Sequence, residues 1–299
     1  MNQIKNNKNL GIILIITSSL FFSLMATAVK SVNHFPLAEK VFFRNFIGLI
    51  FLSIPMIKDR GLLKVTNKKL MFGRAFLGTF GVFLFYNSVL HLHLSEAMAL
   101  NKLSPFFIII LSGLFLKEKI KPAQIIAVFV AIGGLMVILN PKLNIPMIPA
   151  LLGLTGAFCA GAAYTMIRQL RLTDHPSTIV FYFCLFSSVT SLPIMLSNFI
   201  IPTGIELLKL CLIGLMALGG QLAMTNAYRY APASQLSIYT YLNIVFSSLW
   251  GFLFYGESLT LSFMAGAGLI IFAGYINFMS SNDKMGKRKK KAAVLTSTK

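Results

Sequence analysis

Twenty consecutive residues from Leu10 to Val29 carry no ionisable side chain. As a helix they would be about 30 Å long, the thickness of a bilayer's hydrocarbon core. Comparable apolar runs recur at Ile125 to Leu139, with its flanks, and at Leu259 to Met279. In lipid only helices and closed barrels satisfy every backbone polar group, and these runs are continuous where barrel strands would alternate. The chain is 56% hydrophobic and 12% charged, about half the charged fraction of a soluble domain, so there is too little polar material to coat a water-soluble globule. The expectation is an all-α integral membrane protein with ten spans at about 10–30, 37–57, 70–90, 95–116, 122–140, 147–167, 176–197, 207–228, 233–255 and 259–280. The first run follows Lys5 and Lys8 and ends in Ala26-Thr27-Ala28, imitating a signal peptide. It is longer than a usual signal core and has a counterpart later in the chain, so it is read as a retained span.

The net charge of +19 would suggest a nucleic-acid partner if it were gathered on one soluble face. Instead the basic residues fall between the apolar runs and after the last one. With both termini in the cytoplasm, 20 of the 27 Lys and Arg residues are cytoplasmic. Only Lys30, Lys40, Lys142 and Lys209 lie outside, and Arg44, Arg74 and Lys102 fall within spans. That bias obeys the positive-inside rule and needs an even number of spans. It predicts a bacterial cytoplasmic (inner) membrane protein whose partners are lipid and a small molecule, and no nucleic acid. The basic tail, residues 281–299, reads as an orientation anchor.

Shifting the chain by 139 residues pairs Asn87 with Asn226, Ser95 with Ser234, Glu96 with Gln235, Leu103 with Leu242, Ser104 with Asn243, Leu114 with Leu253 and Glu118 with Glu257, without a gap. Similar offsets pair Lys30 with Arg168 and the Pro36 region with Pro176. The chain therefore divides into a nine-residue N-terminal tail, a five-span unit at 10–140, a second at 147–280, and the basic tail. Five is odd, so the second unit enters the membrane in the opposite sense. Inverted repeats of this kind support two alternative packings around a midplane site, the basis of alternating access.

The chain resembles the EamA-type members of the drug/metabolite transporter superfamily. The resemblance rests on Phe42-Phe43-Arg44, on Leu94-Ser95-Glu96-Ala97 leading into Leu103-Ser104-Pro105, and on Leu116-Lys117-Glu118. The second unit repeats these as Ala231-Pro232-Ala233-Ser234, Leu242-Asn243 and Tyr255-Gly256-Glu257-Ser258-Leu259. One departure is Ile244, which stands where the first unit has Pro105 and leaves span nine less obviously kinked. The resemblance implies a metabolite carrier, with spans one and six completing the walls of a cavity otherwise lined by spans three, four, eight and nine. Arg44 matches the family's arginine in span two. Spans five and ten are left to support the fold or a homodimer contact.

Polar groups in hydrocarbon cost free energy, about 2.5 to 3.5 kcal/mol for a charge at mid-helix, and so mark candidate sites. On span nine, Gln235, Tyr239, Asn243, Phe246 and Trp250 share one face at the 3.6-residue period. This stripe faces a cavity or serves as helix–helix glue. The equivalent stripe on span four is Glu96, Leu100, Ser104 and Phe107, with Asn101 and Lys102 turned away. Lys102 is the deepest ammonium, either a cationic pole for a substrate carboxylate or phosphate or a lysine paired with a buried acceptor. Burial favours a carboxylate's protonated form, which makes Glu96 the proton-coupling candidate; the alternative is a helix cap. Arg44 is expected to be structural, holding carbonyls or Glu39. Asn87 and Asn226 line symmetric halves of one cavity or act as hinges. Tyr86, Tyr164, Gln221, Tyr228 and Tyr241 complete the candidate cavity groups, and Gly153, Ala157 and Gly161, with Gly266 and Gly274, form faces for close helix packing.

No nucleotide loop, metal cluster or Ser/His/Asp grouping is visible. His91 and His93 lack a third ligand, and Cys159, Cys184 and Cys211 have no metal or redox spacing. The expectation is a secondary transporter without cofactor or enzymatic activity, carrying a small polar metabolite such as an amino acid, a carboxylate or a nucleobase-like compound. A channel or a membrane-embedded lipid-modifying enzyme are the competing readings.

Overall fold

A computed structural model describes residues 8–115, 120–138, 146–170, 173–230 and 236–297. Eleven α-helices follow one another: α1 (Lys8–Ser31), α2 (Leu37–Lys58), α3 (Lys68–His91), α4 (Leu94–Asn101), α5 (Ser104–Phe115), α6 (Pro122–Ile138), α7 (Met147–Leu170), α8 (Pro176–Ser197), α9 (Gly204–Tyr230), α10 (Leu242–Tyr255) and α11 (Leu261–Ser297). Short 3₁₀ turns occupy Arg60–Leu63 and Ser237–Tyr241. Among the described residues nine segments are long and apolar enough to cross a bilayer, Leu94–Phe115 counting as one span formed by α4 and α5. The seventeen-residue helix α6 is the tenth candidate. The protein is thus an all-helical membrane bundle.

Local chemistry sets the helix boundaries. Pro36 precedes α2 and Pro176 opens α8, positions where a missing N–H costs nothing. The Asn67 side chain accepts the Leu70 N–H to start α3. Helix α11 runs past the expected end at 280 to Ser297. The tail sequence contains no proline, and its Lys and Arg residues are good helix formers.

The helix contacts reproduce the repeat. α1 packs on α9, and its counterpart α7 packs on α3. α1 also meets α10, as α7 meets α5; α2 meets α9, as α8 meets α3. The pairs α2 with α8 and α6 with α11 are each other's counterparts, and spans four and nine, also counterparts, meet through α4 and α10. Exchanging the two five-span units therefore maps the main packing pattern onto itself, as two copies of one unit related by a pseudo-two-fold axis should. The bundle is apolar outside as well as within. Phe72, Phe76 and Phe80 form an exposed stacked row along α3, a surface suited to acyl chains rather than water.

Small residues allow the closest crossings. At Gly153 an added Cβ would lie 2.6 Å from the Ser88 Oγ, and at Gly161 it would lie 2.7 Å from the Phe107 Cβ. At the α6–α11 crossing a Cβ on Gly134 would lie 2.7 Å from the Gly266 carbonyl oxygen, and one on Gly266 would lie 2.6 Å from that of Gly134. Backbone atoms cannot rotate away from such a clash. We expect Gly266→Val to lower stability by about 1–3 kcal/mol, the usual range for overpacking, as an earlier thermal transition in detergent. Gly268→Ala, with open space around its added Cβ, should be neutral or slightly stabilising.

Candidate functional site

The fourth span is interrupted in its middle. α4 stops at Asn101 and α5 starts at Ser104, with Lys102 and Leu103 forming the break. The ninth span changes character at the equivalent place, where the 3₁₀ turn Ser237–Tyr241 gives way to α10 at Leu242. Leu103 and Leu242 are partners under the 139-residue shift. The break in span nine occurs without a proline, so Ile244 in place of Pro105 does not keep that span a continuous α-helix.

Between the breaks lies a cavity of about 140 Å³ lined by residues of both units. Helix α1 supplies Ser18, Ser19 and Phe22; α2 supplies Arg44; α3 supplies Arg74, Gly78, Phe85 and Tyr86. Asn101 and Lys102 enter from the span-four break, Tyr164 from α7, Phe183 from α8, Gln221 from α9, Thr240 from the 3₁₀ turn and Asn243 from α10. The volume is close to that of a cavity known to hold a benzene-sized molecule.

Three cationic side chains, Arg44, Arg74 and Lys102, stand in an otherwise largely apolar lining. The guanidinium carbon of Arg74 lies 4.2 Å from the centroid of the Phe183 ring and that of Arg44 lies 5.6 Å from the same centroid, a cation–π arrangement. Gly78 makes room for it, because a Cβ there would collide with the Arg74 guanidinium. Arg44 donates from Nη1 to the Asn45 Oδ1 at 3.1 Å. Asn45 in turn donates to the Val41 carbonyl and to the Ser187 Oγ, each at 2.8 Å, which ties α2 to α8. Asn243 is 1% exposed and donates to the Ser19 carbonyl at 2.9 Å. Ser18 donates to the Gly220 carbonyl at 2.8 Å, joining α1 to α9.

At the end of the bundle remote from the chain's termini, a polar clasp closes α1 against α10 and the turn before α4. Lys30 pairs with Glu257 and donates to the Leu92 carbonyl at 2.7 Å. The other Glu257 oxygen accepts the Leu94 N–H at 2.8 Å. Gly256, at φ 61°, turns the chain so that Glu257 folds back over Gly251. Tyr255 donates to the Thr27 carbonyl at 2.6 Å, and Trp250 Nε1 donates to the Ser23 Oγ at 3.0 Å.

With this geometry in view, comparison with known proteins is decisive on family. The EamA-like transporter family model matches residues 9–140 and again 147–279. The chain belongs to the EamA-like transporter family. A pseudopaline exporter (CntI) of Pseudomonas aeruginosa is 32% identical over 266 residues, covering 88% of this chain and 94% of that protein. A riboflavin transporter of Rhizobium johnstonii is 28% identical, covering 93% of each chain. A solved crystal structure aligns at a TM-score of 0.65 over 91% of this chain and 98% of that one, at 13% identity, a likeness of fold.

Within this EamA bundle the expected site residues divide. Lys102, Tyr164, Gln221 and Asn243 line the cavity, as does Tyr86. Asn87, Ser104, Asn226, Tyr239 and Trp250 do not. Asn226 donates to the Leu222 carbonyl of its own helix at 2.9 Å, Tyr239 packs against the cluster of Ile15, Ala227 and Leu236, and Trp250 serves the contact with α1. Gln235 and Glu118 lie outside the described residues, as do the side chains of Arg168 and Tyr228. Tyr241 is buried and packs over Gly274.

The span-nine stripe fails as one cavity face because 237–241 is 3₁₀, and each such residue advances about 20° more than an α-helical one. Thr240, not Tyr239, reaches the cavity. On span four, Asn101 and Lys102 face the cavity, contrary to the expected stripe, because α4 ends there. Glu96 does not line it: its side chain accepts the His93 N–H at 3.2 Å in a capping box that opens α4. Glu39 is also fully buried and accepts the Ile200 N–H at 3.3 Å. Arg44, expected to hold carbonyls or Glu39, instead faces the cavity. Arg74 was missed as a site residue; the available signal was a charge six residues into an apolar helix.

The clasp generates a prediction. Lys30→Met and Glu257→Gln should each lower the melting temperature, because each leaves a partly buried charge unpaired. The double variant should lose less than the sum, with a coupling of at least about 0.5 kcal/mol in a double-mutant cycle.

Proposed function

We propose that the chain is a secondary transporter that carries a small polar organic metabolite across a cytoplasmic membrane by alternating access, with both termini in the cytoplasm. The observation that carries this reading is the cavity shared by the two repeat units at their helix breaks, with polar and cationic side chains from both. Interrupted spans at the midplane are the usual way in which inverted-repeat carriers expose backbone and side chains to a solute. Rocking one unit against the other around that cavity opens it to each side in turn. The Lys30–Glu257 clasp keeps the end remote from the termini shut in the present conformation. Amino acids, carboxylates and nucleobase-like compounds are the candidate solutes, and the pseudopaline and riboflavin transported by relatives belong in the first panel. A gradient or exchange drives the cycle, and lipid surrounds a monomer or a homodimer.

In this reading Lys102, Tyr164, Gln221 and Asn243 contact the solute, together with Arg44 and Arg74. Glu96, in the cap beside the clasp, remains the proton-coupling candidate through the opening of that end. Purified protein in proteoliposomes should show counterflow: internal unlabelled substrate accelerates uptake of external label. Lys102→Ala and Asn243→Ala should reduce this uptake at least about tenfold while leaving a folded bundle, since each removes a polar contact in a desolvated site. Flux that internal substrate does not stimulate would favour a channel. Turnover of a lipid substrate in detergent would favour an enzyme.

A further inference from the structure

Resting on the reading of the central cavity as the solute site, we infer that the transported solute is an organic anion with at least two separated carboxylates. The cavity holds three cationic side chains, Arg44, Arg74 and Lys102, and among the described residues no carboxylate lines it. Every described carboxylate is engaged elsewhere: Glu39 with Ile200, Asp59 with Gly61, Glu96 with His93, Asp174 with Thr66, Glu206 with Thr203 and His34, and Glu257 with Lys30. Arg74 is only 5% exposed, and the Nε atoms of Arg74 and Arg44 are buried without a hydrogen-bond partner. Lys102 ends α4 with no carboxylate beside it among the described residues. Three positive charges within a bilayer are costly unless a counter-charge arrives, and a solute carboxylate is that counter-charge.

The cations form two poles. Arg44 and Arg74 flank one ring, that of Phe183, and lie within electrostatic reach of each other. Lys102 enters the cavity from a different element, the break between α4 and α5. Val82, Phe85 and Met98 line the same cavity and suit a hydrocarbon backbone between the two acid groups. The guanidinium pair binds one carboxylate through forked hydrogen bonds, which a planar guanidinium favours. The Lys102 ammonium binds the other as a point charge. A neutral flat ring system would leave all three cations uncompensated, and a lone phosphate would occupy one pole.

The test compares succinate, glutarate and citrate with succinamide, glutaramide, glycerol 3-phosphate and riboflavin. Binding is read by thermal shift and by titration of the purified full chain at constant ionic strength. The diacids and citrate should bind at least about tenfold more tightly than their diamides and more tightly than glycerol 3-phosphate or riboflavin. Arg74→Gln and Lys102→Gln should each weaken the diacids about tenfold or more, with Arg74→Lys intermediate. Diamides or riboflavin binding as tightly as the diacids, tighter binding of the phosphate ester, or no saturable shift with any of the three carboxylates overturns the inference. The wild-type series decides this even if a variant does not fold. Diacid binding without counterflow would remove the carrier reading while leaving the cavity a site for a solute with two separated carboxylates. Counterflow of a neutral solute alone would do the reverse.

Discussion

A charge in hydrocarbon must be paired, hydrated or brought to an interface, and this constraint organises the bundle. Its lipid-facing surface is apolar, as the exposed phenylalanine row on α3 illustrates. The cations Arg44, Arg74 and Lys102 converge on one cavity between the two repeat units. Phe183 shields two of them, Gly78 makes room for Arg74, and Asn45 steadies Arg44 while binding α2 to α8. Close packing at Gly153 and Gly161 holds α7, one wall of the space, against α3 and α5.

The two breaks give this arrangement its pseudo-symmetry. Lys102 and Leu103 interrupt span four, and Tyr241 and Leu242 mark the corresponding change in span nine. The first uses Pro105 at the start of α5; the second manages with a 3₁₀ turn. The same backbone feature arises from different local chemistry, so the position of the break belongs to the repeated unit rather than to proline. Side chains at the break reach the cavity because a helix end releases them from the face on which 3.6-residue periodicity would place them.

Much of the fold was legible in the sequence because it depends on patterns that survive averaging: apolar length, Pro36 and Pro176 at helix starts, and a repeat without gaps. The site was less legible because inward-facing polar residues have two uses that a periodic pattern does not separate. Asn226 satisfies its own helix and Trp250 joins α10 to α1, whereas Asn243 meets both α1 and the cavity. The phase of the span-nine stripe was lost in the 3₁₀ turn. Arg74 carried no motif to distinguish it from an interfacial anchor, and its role emerges only from its place over Phe183. Glu96 marked a real feature, the start of α4, by the capping alternative that its position also allowed.

The central claim is that one five-span unit is present twice in opposite orientations, and the most direct measurement is the sidedness of equivalent turns. Asn33, after α1, and His175, before α8, are both exposed. With Cys159, Cys184 and Cys211 replaced by serine or alanine, Asn33→Cys should react with a membrane-impermeant maleimide in intact cells. His175→Cys should react only after permeabilisation. Labelling of both from the same side would contradict the inverted repeat and the transport mechanism built on it.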